Sequence, residues 1–368
     1  MIGSPLSGLD DAQRAAASAL RGPVCVLAGA GTGKTRVITH RIAHGVDTGA
    51  YSPGRVLAVT FTAKAAGEMR GRLRALGVQG VSARTFHAAA LAQVNYFWPQ
   101  VAGDSAPAIV DNKVKLLAHA ADGLRLSPDT ATLRDVASEI EWRKVGMHSI
   151  DAYARLRPKG VGRLRVEQVV DLQRAYEKLK DERRQMDFED VLLACAGMLE
   201  AEPRIVQEVR EQYRHFTVDE YQDVSPLQHH LLSLWVGQRQ DLCVVGDASQ
   251  TVYSFAGADA RYLLDFDHDH PDAQVFRLET NYRSTQPILD VANALMRGRA
   301  GALDLTAARA GEAPTPTVRA FEDDEDEASA VARAVAESIA GGVDPATIAV
   351  LYRAHAQSVG LLAALGAA

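Results

Sequence analysis

Residues 24–36 read Val24-Cys25-Val26-Leu27-Ala28-Gly29-Ala30-Gly31-Thr32-Gly33-Lys34-Thr35-Arg36. The opening four are apolar and bounded by a turn signal, which predicts a buried strand over 24–27. Gly29, Gly31 and Gly33 then let the backbone wrap closely round an anion and turn its N–H groups inward. A helix is expected to open at Arg36, and its N-terminus adds partial positive charge. Strand, glycine loop and helix in that order are the context of a phosphate-binding loop. Lys34 would reach the outer phosphates of a nucleoside triphosphate, and the Thr35 hydroxyl would ligate Mg²⁺. Ala28, Gly29, Ala30, Gly31, Thr32, Gly33, Lys34, Thr35 and Arg36 are the candidate nucleotide-binding residues. Ala28 stands where the general pattern G-x-x-x-x-G-K-[ST] has its first glycine.

Further apolar runs lie on either side of this loop. Strands are expected over 56–60, 216–218, 242–245, 275–278 and 348–352, with helices such as 36–46 and 63–75 between them. Near-continuous apolar strands alternating with helices predict an α/β fold built on a parallel sheet covered on both faces. In such a sheet the carboxyl ends of the strands share one crevice. Phe216-Thr217-Val218-Asp219-Glu220-Tyr221-Gln222-Asp223 puts two carboxylates there. Asp219 suits Mg²⁺, and Glu220 suits proton abstraction from an attacking water. After 242–245 come Gly246, Asp247, Ala248, Ser249 and Gln250, where Gln250 would touch a γ-phosphate or its water. After 275–278 come Asn281, Tyr282 and Arg283, and Arg283 would neutralise charge on a transferred phosphoryl group.

The whole chain of 368 residues exceeds the usual size of one domain. With 47% hydrophobic and 23% charged residues it has ample core, which excludes a disordered or collagen-like chain. Cys25, Cys195 and Cys243 are widely separated and have neither metal-site nor disulfide-framework spacing, which predicts a reducing compartment. No apolar run approaches membrane-spanning length, and the first ten residues lack the pattern of a secretory leader. The net charge of −6 is not that of a histone-like DNA coat, but residues 1–100 hold 11 basic against 4 acidic side chains. Between about 86 and 214 the chain reads as a helical insertion, with long helices over 166–184 and 188–200. Residues 142–165 hold seven cations (Arg143, Lys144, Arg155, Arg157, Lys159, Arg163 and Arg165) against Asp151 alone. That stretch is open to two readings, a phosphate-backbone contact or a solvated face. The acidic run EDDEDE at 322–327 predicts a solvated loop or helix start. Residues 300–316, rich in Ala, Gly, Thr and Pro, predict a loop.

Taken in order, these motifs resemble superfamily 1 DNA helicases of the UvrD/Rep/PcrA type, over essentially the whole chain. AGAGTGKT, with Ala28, is the form that family uses. Residues 9–13 resemble its adenine-reading motif, with Gln13 as the glutamine, and Tyr282 would stack near the adenine. VTFTAKAA at 59–66 and RTFH at 84–87 resemble motifs bordering single-stranded DNA. VDEYQD, GDASQTVYSF and NYRS resemble the magnesium and general-base, coupling and arginine-finger motifs. VLYRAHAQS at 350–358 resembles a later motif of the second motor domain. The coupling motif departs at Ala248 and Ser249, where further acids are common, and at Ala256, where an arginine usually follows.

The resemblance implies a RecA-like P-loop NTPase. The first motor domain would be 1–87 plus 213–284, with a mostly helical inserted domain over 88–212 and the first part of a second motor over 285–368. It implies ATP and Mg²⁺ as cofactors. It also implies 3′→5′ movement on single-stranded DNA, action at single-strand/duplex junctions, and a cytoplasmic, nucleoid-associated protein with repair-protein partners. Phe61, Thr85, His87, Tyr253 and Phe255 become the candidate DNA contacts. Lys34, Glu220, Gln250 and Arg283 are the candidate catalytic residues. The family's last motifs lie beyond residue 368, so the chain is expected to be an N-terminal fragment whose unwinding is in doubt. Three alternatives stand beside the helicase: the motor part of a RecB/AddA-type helicase–nuclease, a nucleotide- and DNA-binding module that does not unwind, and a P-loop phosphotransferase unrelated to DNA.

Overall fold

A computed structural model describes residues 4–254, 257–309, 311 and 313–368. Ten strands occur among the described residues, in chain order: β1 (Val24–Ala28), β2 (Val56–Thr60), β3 (Ser82–Thr85), β4 (Ala108–Ile109), β5 (Gln185–Met186), β6 (His215–Val218), β7 (Leu242–Gly246), β8 (Gln274–Leu278), β9 (Thr280–Asn281) and β10 (Thr306–Ala307). Six form one sheet in the order β3-β2-β6-β7-β1-β8, and every pairing in it is parallel. The alternation of β-strand side chains sends successive residues to opposite faces. Cys25, Leu57, Val59, Phe216 and Val218 face a core shared with the helices Phe86–Ala102, Phe188–Ala201 and Pro226–Val236. Val24, Val26, Val56, Ala58 and Val245 face the opposite core, closed by the helices Lys34–Asp47 and Ala63–Ala75. Burial on both faces explains the lack of apolar–polar alternation in these strands. Each fully buried Val or Leu contributes about 1.5–3 kcal/mol, so the sheet is the rigid frame on which the motifs hang.

The strand order decides the function more than any single element. β6, β7, β1 and β8 are consecutive neighbours and run the same way. The loops leaving their carboxyl ends are the DEYQD, GDASQ, glycine-loop and NYRS segments respectively. Four segments spread over about 250 residues of sequence therefore emerge side by side.

The helical insertion has its own core of Leu117, Val136, Ile140, Tyr153, Val169, Leu172 and Tyr176, separate from the two cores of the sheet. Two of its seven clustered cations do not face solvent. Arg143 and Lys144 are buried (7% and 3% exposed), as is Lys180 at 3%. Lys144 Nζ lies 2.8 Å from Asp187, 2.6 Å from Asp190 and 3.0 Å from Glu177. Lys180 pairs with the same three carboxylates, and the Tyr176 hydroxyl donates to Asp187 at 3.0 Å. Arg143 bonds Gln173 at 2.7 Å and Glu177 at 2.9 Å. Arg143 and Lys144 are thus removed from any phosphate-facing set, because a buried cation is held by its carboxylates. Arg155, Arg157, Lys159, Arg163 and Arg165 stay exposed.

The chain divides into two compact units, one ending at Ala313 and one spanning Pro314–Ala368. Residues 285–309 belong to the first: the helix Gln286–Met296 and β10 pack together, and β10 pairs with β9. In the second, the helices Asp324–Ala340 and Gln357–Ala367 pack against each other. The acidic run is the start of the first of these helices. Asp323 caps it by accepting from Glu325 N and Asp326 N, and four acids fill its first turn, where the helix dipole favours them. The strand expected over 348–352 does not form. It follows a 3₁₀ turn, Pro345–Thr347, and no described residue of this unit is in a strand that could pair with it. Leu351 is accordingly 94% exposed. No helix among the described residues is long and apolar enough to cross a membrane.

Candidate nucleotide site and nucleic-acid interface

The glycine loop is shaped from outside. Gly31 (φ +70°) and Gly33 (φ +90°) adopt left-handed backbone that glycine accepts without strain. A Cβ on Gly31 would stand 2.7 Å from Asn281 Nδ2, and one on Gly33 2.9 Å from Gln13 Nε2. Three loop carbonyls are bound by neighbours. Asn281 Nδ2 donates to Ala30 O (2.5 Å), Tyr282 N to Gly31 O (2.9 Å) and Gln13 Nε2 to Thr32 O (2.8 Å). In a trans peptide the next N–H points the opposite way, so the N–H groups of Gly31 and Gly33 turn away from these partners. Both residues line a cavity of about 330 Å³.

That cavity is lined by Gly29, Ala30, Gly31, Gly33, Lys34, Thr35, Arg36, Arg72, Glu220, Gln250, Tyr282 and Arg283. Lys34 Nζ stands 3.8 Å from Glu220 Oε2. Glu220 holds φ +52°, a left-handed conformation that costs a non-glycine residue on the order of 1–3 kcal/mol and is typical of functional turns. Gln250 Nε2 donates to Asp247 at 2.7 Å. Four of the sequence-expected residues sit behind the lining. Ala28 is the last residue of buried β1, Thr32 uses its hydroxyl on Gly29 O (2.8 Å), Gln13 is 2% exposed, and Asp219 is 6% exposed. The side chain of Gln13 is occupied at both ends, by Thr32 O and, at 3.4 Å, by the Asp10 N–H.

Burial pushes the Asp219 carboxyl up to about 7, the Glu220 charge adds to that, and Lys34 opposes it. A buried carboxylate with a single ammonium nearby is a site whose charge balance a divalent cation improves. The donor set fits Mg²⁺: a threonine hydroxyl and a carboxylate are hard oxygen ligands, and Mg²⁺ usually takes few protein ligands beside phosphate oxygens and water. Thr35 and Asp219 are the residues that would hold it. Among the described residues no group of three or more His, Cys, Asp or Glu side chains has metal-binding geometry.

Of the expected DNA contacts, Phe61 and Tyr253 stack on each other with ring centroids 4.7 Å apart and planes at 26°. They are 36% and 38% exposed, and they leave the carboxyl ends of β2 and β7. Thr85 caps the helix Phe86–Ala102, its hydroxyl accepting from Ala88 N at 3.1 Å. His87, whose pKa is lowered by burial, meets the edge of Phe188 at 6.1 Å. Phe255 lies outside the described residues.

Sequence reading missed four residues. Phe188 is 59% exposed beside His87, and its only signal was an aromatic at a helix start after Asp187. Arg72 reaches the cavity from the helix Ala63–Ala75 while bonding Glu68 through Nε at 3.1 Å. Nothing in a helix rich in arginines marks that one. Asn281 ties the glycine loop to the arginine segment: its Oδ1 also accepts from Arg283 N (2.8 Å) and Ser284 N (2.6 Å). Asp10 accepts from Tyr282 Oη at 2.5 Å, and burial and this bond raise the Tyr282 phenol to about 12.

The model of the UvrD/REP helicase N-terminal domain matches residues 9–271. The chain belongs to the UvrD/REP helicase family. The UvrD-like helicase C-terminal domain matches residues 276–367. The chain is 47% identical to "ATP-dependent DNA helicase UvrD2" of Mycobacterium tuberculosis (strain ATCC 25618 / H37Rv), over 96% of this chain and 53% of that protein. It is 34% identical to "ATP-dependent DNA helicase PcrA" of Leuconostoc citreum, over 79% of this chain and 39% of that one. It is 30% identical to "Putative ATP-dependent DNA helicase YjcD" of Bacillus subtilis (strain 168), over 95% and 46%. The chain thus spans about half the length of the curated relatives it matches. The mixed α/β fold with its six-stranded parallel sheet suits the RecA-like P-loop class expected of the UvrD/REP family.

Proposed function

We propose that this chain is the ATP-hydrolysing motor portion of a DNA helicase that moves 3′→5′ on single-stranded DNA and parts strands at junctions. Its supporting observation is the single cavity that gathers Lys34, Thr35, Glu220, Gln250 and Arg283 from four adjacent strand ends. Hydrolysis proceeds by in-line attack of water on the γ-phosphorus. Glu220 accepts the water's proton, while Lys34 and Arg283 neutralise charge on the phosphates. Thr35 and Asp219 would hold Mg²⁺, which would supply positive charge against the phosphates. Arg36 and Tyr282 stand at the adenine end, Gln13 braces the glycine loop behind them through Thr32 O, and Gln250 senses the γ-phosphate. Phe61, Thr85, His87, Tyr253 and Phe188 form the strand-binding surface, where aromatic stacking gives sequence-tolerant grip.

The proposal includes the division into 1–87 plus 213–284 as first motor, 88–212 as helical insertion and 285–368 as the start of the second motor. It also includes service in DNA repair or replication restart, with repair-protein partners, in the cytoplasm at the nucleoid. Release of phosphate from ATP·Mg²⁺ by the purified chain, with and without oligothymidylate, tests it. Turnover that rises with the oligonucleotide supports it. Turnover indifferent to DNA contradicts the DNA-motor part, and no turnover contradicts the whole.

A further inference from the structure

Gln222 is 1% exposed and carries no role in the reading above. Its amide nevertheless joins two loops of the candidate site. Nε2 donates to Glu220 Oε2 at 2.9 Å, the same oxygen that faces Lys34 Nζ at 3.8 Å. Oε1 accepts from Asp247 N at 3.0 Å. Asp247, itself 4% exposed, holds Gln250 Nε2 at 2.7 Å and Ser249 N at 3.0 Å. The result is one continuous path: Lys34, Glu220, Gln222, Asp247, Gln250. Strand β7 ends in a residue that makes room for it. A Cβ on Gly246 would lie 2.6 Å from Gln222 Oε1 and 2.8 Å from Leu263 Cδ2. Gln222 Nε2 also lies 3.5 Å from Oδ2 of the next residue, Asp223.

We infer that Gln222 is a positioning residue for hydrolysis: its buried amide aims the Glu220 carboxylate and ties that aim to the loop carrying Gln250. This rests on the motor reading. The left-handed backbone of Glu220 leaves its carboxylate free of helix or strand constraint, and the amide supplies the constraint. Both halves of the amide are used, one on each loop, so a shift of either loop is felt by the other. A displacement of about 1 Å in a reacting group is enough to lose on the order of 100-fold in rate.

The test is steady-state ATPase of the full chain with Mg²⁺ and saturating oligothymidylate, for the parent, Lys34→Ala, Gln222→Met and Gln222→Glu, each with a thermal melt. Met keeps the volume and loses both hydrogen bonds. Glu keeps the acceptor for Asp247 N and loses the donor to Glu220. The expected result is kcat lower by about 10- to 100-fold in both variants, with the KM for ATP within about twofold. A part confined to packing would lower the melting temperature and leave kcat of the folded fraction unchanged. The inference is overturned if Lys34→Ala is inactive while Gln222→Met turns over within twofold of the parent. If Gln222→Met shows no cooperative melt, Gln222→Glu decides by the same criterion. If Lys34→Ala is as active as the parent, or the parent has no turnover, the motor reading fails first and the inference falls with it.

Discussion

At the scale of single residues, the site is a balance of buried charge. Asp219 is the clearest case, since its carboxyl is held at about 7 in the folded chain against an ordinary value near 4. The folded state therefore binds its proton more tightly than the unfolded state does. Stability from this group is present below about pH 4 and is lost as pH rises through 7. Asp219→Asn should flatten that slope and melt higher than the parent at pH 8, and melting curves from pH 5 to 8 check it. The same proton must leave when Mg²⁺ binds. Mg²⁺·nucleotide binding should release protons at pH 6 and almost none at pH 8.5, which calorimetry in buffers of different ionisation enthalpy reads directly. Lys34→Ala should reduce phosphate release by about 100-fold or more with the melting temperature little changed, because the contact of Lys34 with Glu220 is a long one at 3.8 Å.

At the scale of elements, what the sequence reveals depends on whether a signal is local. The glycine loop, DEYQD and the strands β1, β2, β6 and β7 are legible because burial on both faces writes long apolar runs and because phosphate binding needs glycine at fixed places. The edge strand β3 (Ser82–Thr85) is not legible. Its residues are small, polar or charged, and only pairing with β2 makes it a strand. The opposite error occurs at 348–352, apolar enough for a strand but with no neighbour to pair with. Arg143 and Lys144 look like a DNA surface in sequence, since the carboxylates that bury them come from 33 to 46 positions away. Their network makes its own prediction. Burial opposes charging of Asp187, but Lys144, Lys113 and Lys180 outweigh it and hold the carboxyl far below its ordinary range. Its stability is present above about pH 4 and lost as pH falls below that. Lys144→Met leaves three carboxylates, Glu177, Asp187 and Asp190, to two cations, Lys180 and Arg143, and should destabilise the insertion by about 3–5 kcal/mol at pH 7, measured by denaturant titration.

At the scale of the whole molecule, function comes from strand order, which no single stretch of sequence carries. The motifs are individually visible. Their adjacency follows from β6-β7-β1-β8, and the sequence shows this only through resemblance to a family. Of the residues missed by sequence reading, Phe188, Asn281 and Asp10 have partners in another segment, while Arg72 bonds Glu68 on its own helix and matters through the cavity it reaches. The division at 313/314 is also a property of the folded chain. Residues 313–321 are irregular and Arg319 within them is exposed, so brief trypsin treatment should cut there first and leave a folded product ending near 319. Mass spectrometry of the early products reads this.

The central claim is that distant segments converge on one triphosphate. A crystal structure of the chain with Mg²⁺ and a non-hydrolysable ATP analogue tests it most directly. The account predicts the γ-phosphate between Lys34 and Arg283, Mg²⁺ on the Thr35 and Asp219 side of it, and the Glu220 carboxylate facing the site of the attacking water. A nucleotide seated elsewhere, or phosphates in the glycine loop with Glu220 and Arg283 turned away from them, would contradict it.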